Sequence, residues 1–317
     1  MSSNIHLLPN FPAFTWSQDA LNGITTSIRN KQLALLKRME SMPDELKEEA
    51  NSIIIKKDIQ ANLEFEQKLD NFDQNRAILV QKEGVFDQNL SFLTDSTQKY
   101  NQPLNKERLT EWLGPLAQDN IPLPNIQLDQ FLLWFNKPGL DRLLKAAIAH
   151  LWFYSLSPYK NGNGLLARLI TDMQLAKADG SAYRYYSLSA QLLKEQNEYE
   201  FILEQAQRGS LDITIWLQWF LNCLHRAYDN SDNLLSIVFI KDSFWKKHKN
   251  VLLNKRQKKI INILLDGFNE KLTTSTYASI AKCSRDTALR DVTDLLQKQI
   301  LFKKEGLGKN TNYQLNK

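Results

Sequence analysis

Cysteine, histidine and long apolar runs are scarce in this chain. Its two cysteines, Cys223 and Cys283, are far apart and each falls inside a helical pattern. That excludes a disulfide-stapled secreted scaffold and a cysteine-built zinc site. The four histidines, His6, His150, His225 and His248, are scattered without ligand spacing, so no metal site is indicated. The longest nearly uncharged apolar run, Ala146 to Pro158, is too short and too polar to cross a bilayer. No charged segment leads into an apolar one at the start of the sequence, so the expectation is a cytoplasmic protein without membrane attachment.

Glycine is scarce too, with 11 in 317 residues, which makes two of them within three positions conspicuous. They lie in Leu156-Ser-Pro-Tyr-Lys-Asn-Gly-Asn-Gly-Leu-Leu-Ala-Arg168. The stretch joins an apolar helix expected over Leu140 to Tyr154 to a second over Gly164 to Lys177. Without a Cβ, Gly162 and Gly164 permit positive φ and close backbone approach, and the N–H groups of the opening helix can converge on an anion. An ordinary interhelical turn is the other reading of Asn-Gly-Asn-Gly taken alone.

The rest of the chain reads as helical. Apolar residues comprise 43% and charged residues 24%, the balance of a globular protein large enough for two or three cores. After a proline-broken arm with Phe11, Phe14 and Trp16, helix is expected from Ser17 as N-cap, with a break at Pro43 and a second helical stretch through Leu63. Further helices are expected at Phe92 to Tyr100, Leu104 to Leu116, Leu128 to Phe135, Leu188 to Gln207 and Ile213 to Ala227.

The order and spacing of Ser157-Pro-Tyr159, the glycine pair and Arg168 resemble the motif His-Pro-Phe-x-Asp/Glu-Gly-Asn-Gly-Arg-x-x-Arg of the Fic family, whose enzymes mostly transfer AMP from ATP to protein hydroxyls. The resemblance implies ATP and Mg²⁺ as cofactors, a protein target, and Gly162, Asn163, Gly164 and Arg168 as nucleotide-binding positions. It also exposes three losses: Ser157 stands at the base histidine, Asn161 at the metal-holding carboxylate and Leu165 at the first arginine. A serine hydroxyl does not ionise near neutrality, so impaired catalysis is expected. His150, about 10 Å along its helix from Ser157, is too far to substitute.

Two flanking stretches extend the resemblance. Ile59 to Leu69 is similar to the family's inhibitory helix, with Glu64 at the position of the inhibitory glutamate, expected to pair with Arg168; a surface helical carboxylate is the other reading. Tyr199 to Gly209 is similar to the helix whose tyrosines flank adenine. Tyr199 fits the first, Glu200 replaces the second, and packing of Tyr199 beside Trp216 and Trp219 is equally open. The proline-rich stretch between Trp112 and Leu128 shows no alternating strand pair where the family carries its target-binding hairpin.

The net charge of +5 is concentrated at the C-terminus, where residues 251–317 hold 13 Lys+Arg against 6 Asp+Glu. This stretch reads as three helices, the third capped by Ser284, then strands at Ile300 to Phe302 and Tyr313 to Leu315 around a Gly306-to-Gly308 turn. It resembles the winged helix-turn-helix domain of many bacterial Fic proteins. The third helix offers DNA Arg285, Thr287 and Arg290, but also Asp286, Asp291 and Asp294, which repel phosphate.

The expected fold is therefore mainly α, a Fic-type helical bundle with a C-terminal winged helix-turn-helix domain. Its expected divisions are an N-terminal helical region over 1–95, a core over 96–230, a connector over 231–250 and the winged helix over 251–317. Two functions stay open: an impaired adenylyltransferase with residual nucleotide binding, and a non-catalytic regulator that binds DNA or protein through the winged helix. The sequence leaves a homo-oligomer open as well.

Overall fold

A computed structural model describes residues 4–69, 85–114, 126–268, 270–304 and 311–316. Most of the stretch read as lacking a hairpin, between Trp112 and Leu128, and the Gly306-to-Gly308 turn lie outside the described residues. The chain is mainly helical and divides into two compact units, Met1–Leu234 and Leu235–Lys317.

The first unit contains α1 (Gln18–Glu40), α2 (Asp44–Leu69), α3 (Val85–Gln98), α4 (Lys106–Leu113), α5 (Ile126–Asn136), α6 (Arg142–Leu156), α7 (Asn163–Asp179), α8 (Leu188–Lys194), α9 (Gln196–Arg208) and α10 (Thr214–Leu234). Its centre is the antiparallel pair α6 and α7. Asp141 caps α6 by accepting from Leu143 and Leu144 N–H, and from there nearly every side chain of the helix is buried. An apolar circumference with no polar face is what a central helix requires.

The N-terminal arm seats Phe11 and Phe14 edge-on against Trp152 of α6, each with ring centroids 5.9 Å from it. Thr15 then forms a parallel bridge to Asp212, its N–H donating to Leu211 O. Ser17 caps α1 as expected. One helix expected over Leu188 to Gln207 is two, because Glu195 leaves the helical region; its carboxylate accepts from Nε and Nη2 on one edge of the Arg226 guanidinium.

The second unit contains α11 (Ser236–Lys247), α12 (Lys255–Leu265), α13 (Thr274–Ala281), α14 (Arg285–Gln297), β1 (Leu301–Lys304) and β2 (Asn312–Leu315). The stretch between the two expected domains, read as helix or connector, is largely helix, and its Phe244 joins this unit's core. β1 and β2 pair antiparallel in the register Leu301↔Leu315, and Leu272 adds a bridge to Tyr313. Among the described residues, no helix is long and apolar enough to cross a membrane.

Candidate functional site

The loop between α6 and α7 begins where Ser157 ends α6 in the left-handed region, φ 40° and ψ 57°, with its hydroxyl donating to Tyr154 O at 2.6 Å. That closes the helix on itself and turns the chain. Gly162 then takes φ 81°, a conformation that disfavours any side chain, and starts α7. It supplies no side-chain cap. Asn163 staples the loop: its Oδ1 accepts from Tyr159 N–H at 3.1 Å and its Nδ2 donates to Tyr159 O at 2.6 Å. The turn is fixed by its own residues, with Tyr159 and Leu165 buried beneath it.

Arg168, in the second turn of α7, is 3% exposed. Its Nε donates to Asn62 Oδ1, its Nη2 reaches Glu66 Oε1 at 3.2 Å, and its guanidinium lies 4.5 Å from the Phe65 ring centroid. The expected partner Glu64 does not take part; it accepts instead from Gln60 at 3.0 Å on an exposed edge. Helix periodicity explains the correction. Positions 62, 65 and 66 share one face of α2, whereas 64 points well away from it. A Cβ built on Gly164 would sit 3.3 Å from Arg168 Nη1 and 3.7 Å from the Tyr154 ring, so side chains of the chain itself line the loop at this point.

Tyr199 is also an interior residue, 3% exposed, stacked 5.9 Å from Trp219 with Phe65 edge-on at 6.1 Å. Its hydroxyl meets His150 Nε2 at 2.8 Å, while His150 Nδ1 meets Thr171 Oγ1 at 2.9 Å. Of the two readings open for Tyr199, this is the packing one, beside Trp219. Burial, with Arg168 nearby, pushes His150 down to about 3, so the imidazole is neutral and bridges α7 and α9 through two hydrogen bonds.

Below Arg168 lies a buried charge cluster that sequence reasoning missed. Arg184, 1% exposed, donates to Asp179 at 3.0 Å and Asp172 at 3.4 Å. Asp58 of α2, 2% exposed, accepts from the Ser187 hydroxyl, and Asn51 of α2 accepts from Arg184 N–H at 2.8 Å. One signal was available. Asn51, Asp58 and Asn62 fall on the same face of α2 among Ile54, Ile55 and Ile59, where polar residues need partners if that face is buried.

In the second unit, the exposed stripe of α14 is Arg285, Asp286, Leu289, Arg290, Thr293 and Gln297. Thr287 lies off it, with its hydroxyl 2.9 Å from Ser284 Oγ. Two of the three carboxylates turn away: Asp291 is bound by Arg256, Asn254 and Tyr277, and Asp294 by Gln257 and Lys298. α14 therefore presents two arginines and one carboxylate, with exposed Lys303 and Lys304 on β1.

No family model and no curated protein matches the sequence. Among solved structures, the chain is similar to the crystal structure of a Fic family protein from Desulfovibrio desulfuricans G20, with a TM-score of 0.58 and 13% identity over 96% of this chain and 98% of that one. At that identity the likeness is one of fold: this chain has the fold of a Fic family protein.

Proposed function

We propose that the chain is a Fic family member that has lost AMP transfer and works as a regulator through its C-terminal unit. The observation that carries the first half is the engagement of Arg168 by Asn62, Glu66 and Phe65. The cation that would steady a nucleotide's phosphates is spent on α2. Ser157 offers no general base, a loss worth roughly 10²–10⁴-fold. Asn161 offers a neutral amide where Mg²⁺ requires a hard anionic ligand. With Tyr199 internal and side chains lining Gly164, these residues do not fit an ATP–Mg²⁺ complex, and no step is derived through one. A cytoplasmic setting, with Cys223 and Cys283 as free thiols, agrees with this reading. Incubation with labelled ATP, Mg²⁺ and a mixture of protein targets is expected to leave no label above an Arg168→Ala control. Clear labelling of the chain or of a target overturns the reading.

The second half rests on the stripe of α14. Three helices with a strand pair bridged to Leu272 suit a winged helix-turn-helix, and the inward pairing of Asp291 and Asp294 removes most of the repulsion that the composition of α14 suggested. Duplex DNA is the proposed partner, with Arg285 and Arg290 facing it. Full-length protein is expected to bind duplex with strong salt dependence, and Arg285→Ala with Arg290→Ala is expected to weaken binding. Binding that ignores salt and both arginines rejects the partner.

A further inference from the structure

We propose that Ser27, His225 and Asp229 form a nucleophile, a base and an orienting carboxylate, and that Ser27 accepts an acyl group from activated carboxylic esters. The site lies between α1 and α10 and rests on neither the nucleotide nor the DNA reading. The Ser27 hydroxyl meets His225 Nε2 at 2.9 Å, and the other ring nitrogen, Nδ1, faces Asp229 Oδ2 at 3.4 Å. An ionised carboxylate only accepts, so the nitrogen facing it carries the ring proton and leaves Nε2 free to accept from the hydroxyl. These are the atoms that a serine nucleophile requires, in the order it requires them.

The neighbouring hydroxyls of α1 behave differently. Thr25 and Thr26 donate back to carbonyls of their own helix, at Leu21 and Asn22, the usual fate of a hydroxyl inside a helix. Ser27 turns instead across to α10. Lys31, one turn further along α1, holds Asp229 by its other oxygen, Oδ1, and so fixes the carboxylate that orients the ring. The approach to Ser27 is open. Gly23 lies one turn before it, on the side toward which helical side chains lean, and a Cβ built there would meet nothing within 4 Å. Glycine is costly inside a helix, and no close packing calls for it here. Ser27 and His225 are each only partly buried, so a small ester reaches the hydroxyl from solvent.

The charged groups around the imidazole are Lys31 from α1 and Asp229 and Arg226 from α10, and Arg226 is held by Glu195. Burial and Lys31 keep His225 below its ordinary value against the pull of Asp229, so the ring is a neutral base at neutral pH. In the transfer, Ser27 Oγ bonds to the carbonyl carbon of the ester as its proton passes to Nε2. The bond from that carbon to the leaving oxygen then breaks, and the leaving oxygen takes the proton. Water attacking the acyl-serine by the same route in reverse releases the carboxylic acid and restores the hydroxyl. The N–H groups flanking Ser27 are interior to α1 and donate to the residues four earlier, so no pair of free N–H groups receives the oxyanion. That favours esters whose leaving group carries negative charge well, such as aryl esters.

The full chain with p-nitrophenyl acetate tests this. Peptide mass spectrometry is expected to place an acetyl group on Ser27, at a rate that rises as pH passes up through the His225 value and then levels off. Ser27→Ala should abolish the accompanying burst of nitrophenol. His225→Gln keeps a polar side chain without the base and should slow acetylation of Ser27 by roughly 10²-fold or more. Asp229 acts through His225, so Asp229→Asn should slow the reaction and also move its pH limb to lower pH, because Asp229 raises His225. An unchanged limb overturns the part given to Asp229. Wild-type labelling confined to lysines, or acetylation of Ser27 at an equal rate in His225→Gln, overturns the proposal.

Discussion

Asp291 accepts from Arg256 Nε at 2.8 Å, joining α14 to α12, while Tyr277 of α13 donates to the same carboxylate at 3.2 Å. One side chain thus fixes the mutual setting of three helices. Removing it in Asp291→Ala should cost about 1–3 kcal/mol, the penalty for leaving buried donors unpaired. Arg256 and Asn254 hold the Asp291 carboxyl below the usual carboxylate range. Its contribution is therefore present above about pH 4 and is lost as pH falls through the lower folded value. Urea unfolding of wild type and variant at neutral and acid pH should show the difference in stability shrinking in acid.

The same reasoning assigns Arg168 to structure. A guanidinium buried against Asn62, Glu66 and Phe65 should cost about 3–5 kcal/mol when truncated to alanine, because its partners stay behind without it. A loss below about 1 kcal/mol in equilibrium unfolding would show that the guanidinium does not hold α2 in place.

His150 predicts an acid-side effect. Its folded value is about 3 against an ordinary 6.5, so the unfolded chain takes up a proton that the folded one refuses. Stability is expected to decline as pH drops from about 6.5 toward 3, at up to about 1.4 kcal/mol per pH unit from this group. His150→Gln should flatten that part of the curve. Tyr199→Phe, which strips the partner from Nε2, should cost about 1–3 kcal/mol at neutral pH.

For the second unit, Arg285→Ala and Arg290→Ala should each weaken duplex binding across sequences and reduce the magnitude of the salt slope by about 1. Fluorescence anisotropy over a salt series measures both. Asp286→Asn, which removes the carboxylate from the exposed stripe of α14, should tighten binding.

Much of the architecture was legible because it is written in local signals. Ser17 and Ser284 act as the caps their positions suggested, and the apolar circumference of α6 marked it as central. The site was harder to read. Glu64 was chosen by alignment to a motif, whereas the face of α2 toward Arg168 is set by helical phase, which selects Asn62 and Glu66. Tyr199 carried the residue type of a base-stacking site, yet its surroundings, Trp219 and His150, come from elements distant in the chain. The Asp58, Asp172 and Arg184 cluster joins three such elements, and no local pattern encodes a meeting of that kind.

The pairing of α1 with α10 bears on how the chain is made. Ser27 meets His225 Nε2 at 2.9 Å, Arg38 reaches Asp232 at 2.9 Å, Lys31 pairs with Asp229, and Thr15 bridges Asp212. Because α1 precedes α10 in the chain, its apolar face waits for the last helix of this unit before it is covered. During that interval Leu21, Ile28 and Leu35 lack the partner that buries them, and such uncovered apolar surface is a target for chaperones during synthesis.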